Sequence, residues 1–200
     1  AENPMAGLGT ATSHRVHSER ALGFWVYLMS DAIIFAVLFS NYGVLTFGVA
    51  DGPTAHELFS LSRAAQETAL LLLSSLTFGL VSYSALSGQK GRAMFWLIVT
   101  MVLGAGFLAL ELSEFREMFA RGAGPQASGF LSGFFALVGT HGLHVAVGMI
   151  MMAVMGVQFV VKGLTEPVLS RLYRVGLFWH FLDLVWIGIF SFIYLPGVLS

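Results

Sequence analysis

Five runs of this chain are long and apolar enough to cross a lipid bilayer, and they limit what it can fold into. They cover residues 22–48, 66–86, 93–112, 128–161 and 172–199. A spanning helix needs about 20 mainly apolar residues to traverse roughly 30 Å of hydrocarbon. The fourth run exceeds that length, which predicts tilt or projection beyond the membrane. Composition agrees: 56% of the 200 residues are hydrophobic and 10% are charged, against about 25% charged in a soluble domain. The predicted fold class is an all-α integral membrane protein, a bundle of five transmembrane helices.

The segments between the runs, "VADGPTAHELFSLSR", "SGQKGR", "SEFREMFARGAGPQA" and "KGLTEPVLSR", collect most of the Pro, Gly and charge, as loops do. Residues 1–21 read as a polar N-terminal arm without the apolar core of a signal peptide, with His14 and His17 as solvated surface. Residues 22–200 then form one membrane domain, without repeats or a linker. Lysine and arginine predict its orientation. Arg15, Arg20, Lys90, Arg92, Lys162, Arg171 and Arg174 fall on one side, and only Arg63, Arg116 and Arg121 on the other. The positive-inside rule places the N-terminus in the cytoplasm and the C-terminus outside. The chain has no cysteine, which removes disulfides, zinc–thiolate sites, iron–sulfur clusters and thiolate copper. A net charge of −1 without a basic block argues against nucleic acid as a partner.

Ionisable residues inside the runs are the candidate site. Asp31 lies about 15 Å along the first helix, at 1.5 Å per residue. His141 and His144 in "THGLHVAVG" fall near the middle of the fourth run, and His180 and Asp183 near the middle of the fifth. Glu67 opens the second run, while Glu111 and Glu114 close the third. The orientation puts these three acids near the outer surface. A charged group at mid-membrane costs about 3 kcal/mol even on the translocon scale, so each should face protein or water.

Three readings compete. A bis-histidine haem takes a ligand from each of two helices, which His141 or His144 with His180 could supply; two haems would need four histidines, and these runs hold three. A zinc protease motif needs a glutamate where Gly142 stands. A proton relay uses intramembrane acids and histidines, yet the cytoplasmic halves hold little that titrates. Close helix contact is the third reading. "GFLSG" places Gly129 and Gly133 at GxxxG spacing, and Gly148, Met152 and Gly156 continue a slim stripe. The imidazoles would then bond to Asp31, Asp183 or backbone carbonyls between helices.

"GFWVYLMSDAIIFAVLF", "ETALLLLSSLTFGL", "GAGFLALELSEF", "FFALVGTHGLHVAVGM" and "FWHFLDLVWIGIFSFIYL" together resemble subunit III of the haem–copper respiratory oxidases, in order and from about residue 23 to 197. The five-span form is most similar to the version in cytochrome bo-type ubiquinol oxidases. The resemblance implies a non-catalytic subunit of a proton-pumping quinol:oxygen oxidoreductase in a bacterial inner membrane. It further implies haems and copper in a partner subunit I, with subunits II and IV and membrane phospholipid as other partners. The family carries a buried, carbodiimide-reactive acid in an "SE"-type motif. "MSDAIIF" supplies Asp31 there, one methylene shorter.

The residue count is compatible with this. Three membrane histidines cannot hold two haems and a copper, and a chain without cysteine cannot build a dinuclear thiolate copper site. The expected cluster is Asp31, His144 and His180 or Asp183, linking the first helix to the last two. Other readings are subunit III of a cytochrome c oxidase or of a nitric oxide reductase-associated homologue. From another class come a stand-alone transporter and a small membrane cytochrome.

Overall fold

The computed structural model describes residues 4–46, 61–126 and 128–195. Among these the regular structure is helical: α1 Pro4–Thr46, α2 Leu61–Leu86, α3 Lys90–Ala120, α4 Gly129–Lys162 and α5 Glu166–Ile189, the last continued by a π-helical turn, Phe190–Tyr194. Five stretches are long and apolar enough to cross a membrane: Leu22–Leu45, Ser62–Leu86, Lys90–Ala120, Gly129–Lys162 and Glu166–Tyr194. Positions 47–48 and 196–199 of the expected first and last spans lie outside the described residues, as do the side chains of His14 and His17.

Several expected boundaries move. Helix α1 begins at Pro4, so the polar segment ahead of residue 22 has helical backbone. Helix α3 continues past residue 112 to Ala120 because Glu111, Glu114 and Met118 face inward and are buried. Helix α5 starts at Glu166, with a proline in its first turn, where a missing N–H costs nothing.

The chain divides into two compact units, Ala1–Val37 and Leu38–Ser200. In the first, Leu28, Asp31 and Phe35 are buried. Their spacing of three and four residues puts them on one helix stripe.

In the second unit, α2 and α3 form a tight antiparallel hairpin. Gly88 takes a left-handed φ of 71°, and Gln89 N–H donates to Ser84 O at 2.9 Å. That closes the helix end as a glycine C-cap does. Helix α4 opens on Ser128, whose hydroxyl accepts from Leu131 N–H at 3.1 Å.

Between membrane helices the hydrophobic effect gives little preference over lipid, so close packing and hydrogen bonds hold the bundle. Trp179 of α5 is the central wedge. A Cβ on Gly148 of α4 would lie 2.9 Å from its ring, and one on Gly104 of α3 would lie 3.1 Å from it. The Trp179 Nε1 donates to Ser74 Oγ at 3.0 Å on α2, so one side chain ties four helices. Gly133 meets Tyr42, with 3.4 Å between an added Cβ and the Tyr42 Cα, and Gly129 meets Leu45 at 3.4 Å.

Candidate functional site: polar groups buried between the helices

One group of buried side chains forms where α2, α3, α4 and the end of α5 converge. Glu111 and Glu114 are three residues apart on α3 and therefore share a face; each is 3% exposed, and Glu67 of α2 is fully buried. The three carboxyls lie within electrostatic reach of one another. Tyr194 Oη donates to Glu114 Oε2 at 2.9 Å. The π turn carrying Tyr194 changes side-chain phase relative to α5, and both Ile193 and Tyr194 are buried. The Glu111 carboxyl packs directly on Gly142 of α4, where an added Cβ would lie 2.7 Å from Oε2. A side chain at that position would require the Glu111 carboxyl to move.

His141 is fully buried beside Gly142. Phe107 stands edge-on to it at 5.8 Å between ring centroids, and Trp186 lies at 5.3 Å. The Trp186 indole donates to Thr68 Oγ1 at 3.0 Å, next to Glu67 in sequence. Thus the histidine and glutamate layers that sequence depth separated come together around Gly142 and Trp186. Toward the helix ends an ionic rim takes over. Arg63 Nη1 pairs with Glu117 Oε2 at 2.7 Å, and Arg121 with the other Glu117 oxygen. Both arginines, with Glu114, Glu117 and Met118, line a small surface recess.

A second group lies near mid-span. Ser75 Oγ of α2 is 2.5 Å from His180 Nδ1, and Asp183 Oδ2 is 3.7 Å from the same nitrogen. A nucleophile relay needs serine and carboxylate on opposite ring nitrogens. Here both face Nδ1, so the geometry makes a clasp and not a hydrolytic triad. His144 Nδ1 donates to the Thr140 carbonyl of its own helix at 2.7 Å, which fixes that tautomer. Asp31, in the Ala1–Val37 unit, is 5% exposed and interacts with Tyr27 one turn earlier. Among the described residues no three His, Asp or Glu side chains are arranged to hold a metal ion.

Ser75, Tyr194, Thr68 and Arg63 were not singled out from sequence. A weak signal existed for one of them: Arg63 is four residues before Glu67, a spacing that returns to one helix face.

The structure thus defines a class: a multi-pass helical membrane protein whose polar residues join one helix to another. The chain belongs to the cytochrome c oxidase subunit III family, whose model matches residues 5–198. It is 53% identical over 178 residues, 89% of this chain and 86% of the relative, to the cytochrome bo(3) ubiquinol oxidase subunit 3 of Pseudomonas putida. It is 46% identical to the protein of the same name from Pseudomonas aeruginosa, covering 94% of this chain and 90% of that one. A protein of Bacillus sp. (strain PS3) named cytochrome c oxidase subunit 3 is 39% identical, over 90% and 86% of the two chains.

Proposed function

We propose that this chain is the cofactor-free third subunit of a proton-pumping terminal ubiquinol oxidase in a bacterial inner membrane. It supports assembly and sustained turnover of a catalytic subunit I that holds the haems and copper, beside subunits II and IV and bound phospholipid. The observation that carries the reading is the 53% identity, over 89% of the chain, to a ubiquinol oxidase subunit 3. The buried side chains support a structural role, since Tyr194–Glu114, Trp186–Thr68 and Ser75–His180 each join two helices. The lysine and arginine asymmetry supports a cytoplasmic N-terminus and a periplasmic C-terminus.

The test is to purify the chain from its native membrane and measure its companions, their haem content, and oxygen uptake with ubiquinol or cytochrome c as donor. Haem-containing partners and ubiquinol-driven uptake are expected, with Asp31→Ala leaving the initial rate near normal while inactivation during turnover accelerates. A Soret band belonging to this chain alone, or immediate loss of oxygen reduction in a haem-replete Asp31→Ala complex, would overturn the reading. The Bacillus relative named for cytochrome c oxidase favours a second reading with cytochrome c as donor. A copper-ligand motif in the copurifying subunit II would select it.

A further inference from the structure

We propose that the face of α2 and α5 carrying Ser75 and His180 docks a transmembrane helix of a neighbouring oxidase subunit. That helix would present a hydrogen-bonding side chain at mid-membrane. The inference rests on reading this chain as one subunit of an oxidase complex.

His180 is the middle residue of the 29-residue span Glu166–Tyr194, and Ser75 is one residue past the middle of Ser62–Leu86. The His180 side chain is 48% exposed there. Its Nδ1 is taken up by Ser75, with Asp183 behind it. The other ring nitrogen, Nε2, has no hydrogen-bond partner among the described residues. Whether Nδ1 donates or accepts, neutral imidazole leaves Nε2 with the opposite role, so it needs a partner in either tautomer. Hydrocarbon supplies neither donor nor acceptor. Phospholipid headgroups lie about 15 Å away, beyond half the hydrocarbon thickness. Ionisable side chains in spans face protein or a water-filled cavity, and this one faces neither within the chain.

The surrounding surface suits a helix. Gly79 is one turn from Ser75 on α2 and exposed, and an added Cβ there would meet nothing within 4 Å. Ser75 and Gly79 thus make a small-xxx-small notch, the spacing that lets a second helix approach closely. Leu72, Leu76 and Tyr83 of α2 and Leu184 of α5 are exposed beside it. They provide apolar flanks to a polar centre.

The test uses the intact oxidase. Leu76 and Leu184 are replaced one at a time by a benzophenone amino acid, the complex is irradiated in native membranes, and adducts are mapped by mass spectrometry. Both positions should join to one transmembrane segment of another oxidase subunit, with a hydrogen-bonding residue within one turn of the cross-link. In parallel, His180→Leu should lower retention of this chain in the detergent-purified complex at least tenfold, and His180→Gln should restore most of it. A lipid-facing position would respond in the opposite direction, because leucine suits lipid better than histidine does. Adducts only with phospholipid, a second copy or another segment of this chain would overturn the proposal. So would a cross-linked segment without a hydrogen-bonding residue, or normal retention of His180→Leu. Copurification of oxidase subunits with the unmodified chain is scored first. Its failure removes the functional reading, whereas its success without cross-links removes only the docking face.

Discussion

Replacing Gly148 by alanine should destabilise the bundle, by an amount the structure bounds. The added Cβ would stand 2.9 Å from Cε3 and 3.0 Å from Cζ3 of Trp179. Carbon atoms prefer 3.5–4.0 Å, so the ring would have to retreat by about 0.6 Å. Two neighbours oppose this: the ring already fills the space over Gly104, 3.1 Å from an added Cβ there, and its Nε1 is held by Ser74 at 3.0 Å. Overpacking of this kind costs about 1–3 kcal/mol, and weakening the indole hydrogen bond adds up to about 1 kcal/mol. Better helix propensity returns about 1 kcal/mol. The net loss is about 0–3 kcal/mol, which at about 2–4 °C per kcal/mol for a chain of this size lowers Tm by up to about 12 °C. Against a glycine-to-alanine control that gains the same helix propensity, the loss is about 1–4 kcal/mol. The measurement is thermal unfolding of the detergent-solubilised complex, followed through the release of this chain. Gly91→Ala is the control, since its added Cβ would meet nothing within 4 Å. Trp179→Phe in the Gly148→Ala background should recover part of the loss, as a double-mutant cycle between touching residues requires. Equal midpoints for Gly148→Ala and Gly91→Ala would refute the wedge.

The other substitutions test separate contacts in the same thermal assay. Tyr194→Phe removes the donor to Glu114 Oε2 and leaves a buried acceptor, a loss of about 1–3 kcal/mol; an unchanged midpoint would show that the carboxyl finds another partner. Thr77 and Thr100 share a buried hydrogen bond of 2.8 Å. Either Thr→Val alone should cost at most about 1 kcal/mol, because the hydroxyl that remains still donates to a carbonyl of its own helix, Ser74 O for Thr77 or Trp96 O for Thr100, each at 2.9 Å. A larger loss would show that the contact between the two threonines carries the stability. Gly142→Ala places a Cβ 2.7 Å from Glu111 Oε2 and should destabilise by about 1–3 kcal/mol, with Glu111→Ala in the same chain relieving it; absence of relief would show that the collision lies elsewhere.

Number, order and approximate position of the helices were legible because a hydrocarbon solvent demands long apolar runs and tolerates few exceptions. Their ends were less so. A hydropathy reading stops at Glu111 and Glu114, whereas the helix continues to Ala120, because the carboxyls turn inward and the backbone remains satisfied. The ionisable residues stood out by their rarity, and depth arithmetic grouped them. Partnership was not legible. Ser75 looks like any small residue of a membrane helix until α5 brings His180 within 2.5 Å. Tyr194 reads as an interfacial aromatic, and only the π turn and the packing of α3 put its hydroxyl on Glu114. Gly142 served in the sequence only to argue against a zinc motif; its packing against a carboxylate becomes visible when α3 and α4 are adjacent.

These pairs solve a problem that apolar packing leaves open. A helix covered in leucine and phenylalanine can slide along its neighbour in lipid with little change in free energy. Between α2 and α5 three side-chain bonds oppose sliding: Trp186 with Thr68, Trp179 with Ser74 and His180 with Ser75. From Trp179 and His180 to Trp186 on α5, the partners move back on α2 from Ser74 and Ser75 to Thr68, as antiparallel helices require, so all three demand one register. A shift of one turn, about 5.4 Å, would break them together. It would also drive the Gly176 backbone off the Phe78 ring, against which an added Cβ would stand at 2.7 Å. Each bond is modest, about 0.6 kcal/mol on average between membrane helices, but a slipped register loses all three and strands their polar atoms in hydrocarbon. The polar residues therefore select one alignment among many of similar packing energy, and that alignment brings Glu114 and Tyr194 together at one end and leaves His180 on the surface at mid-span.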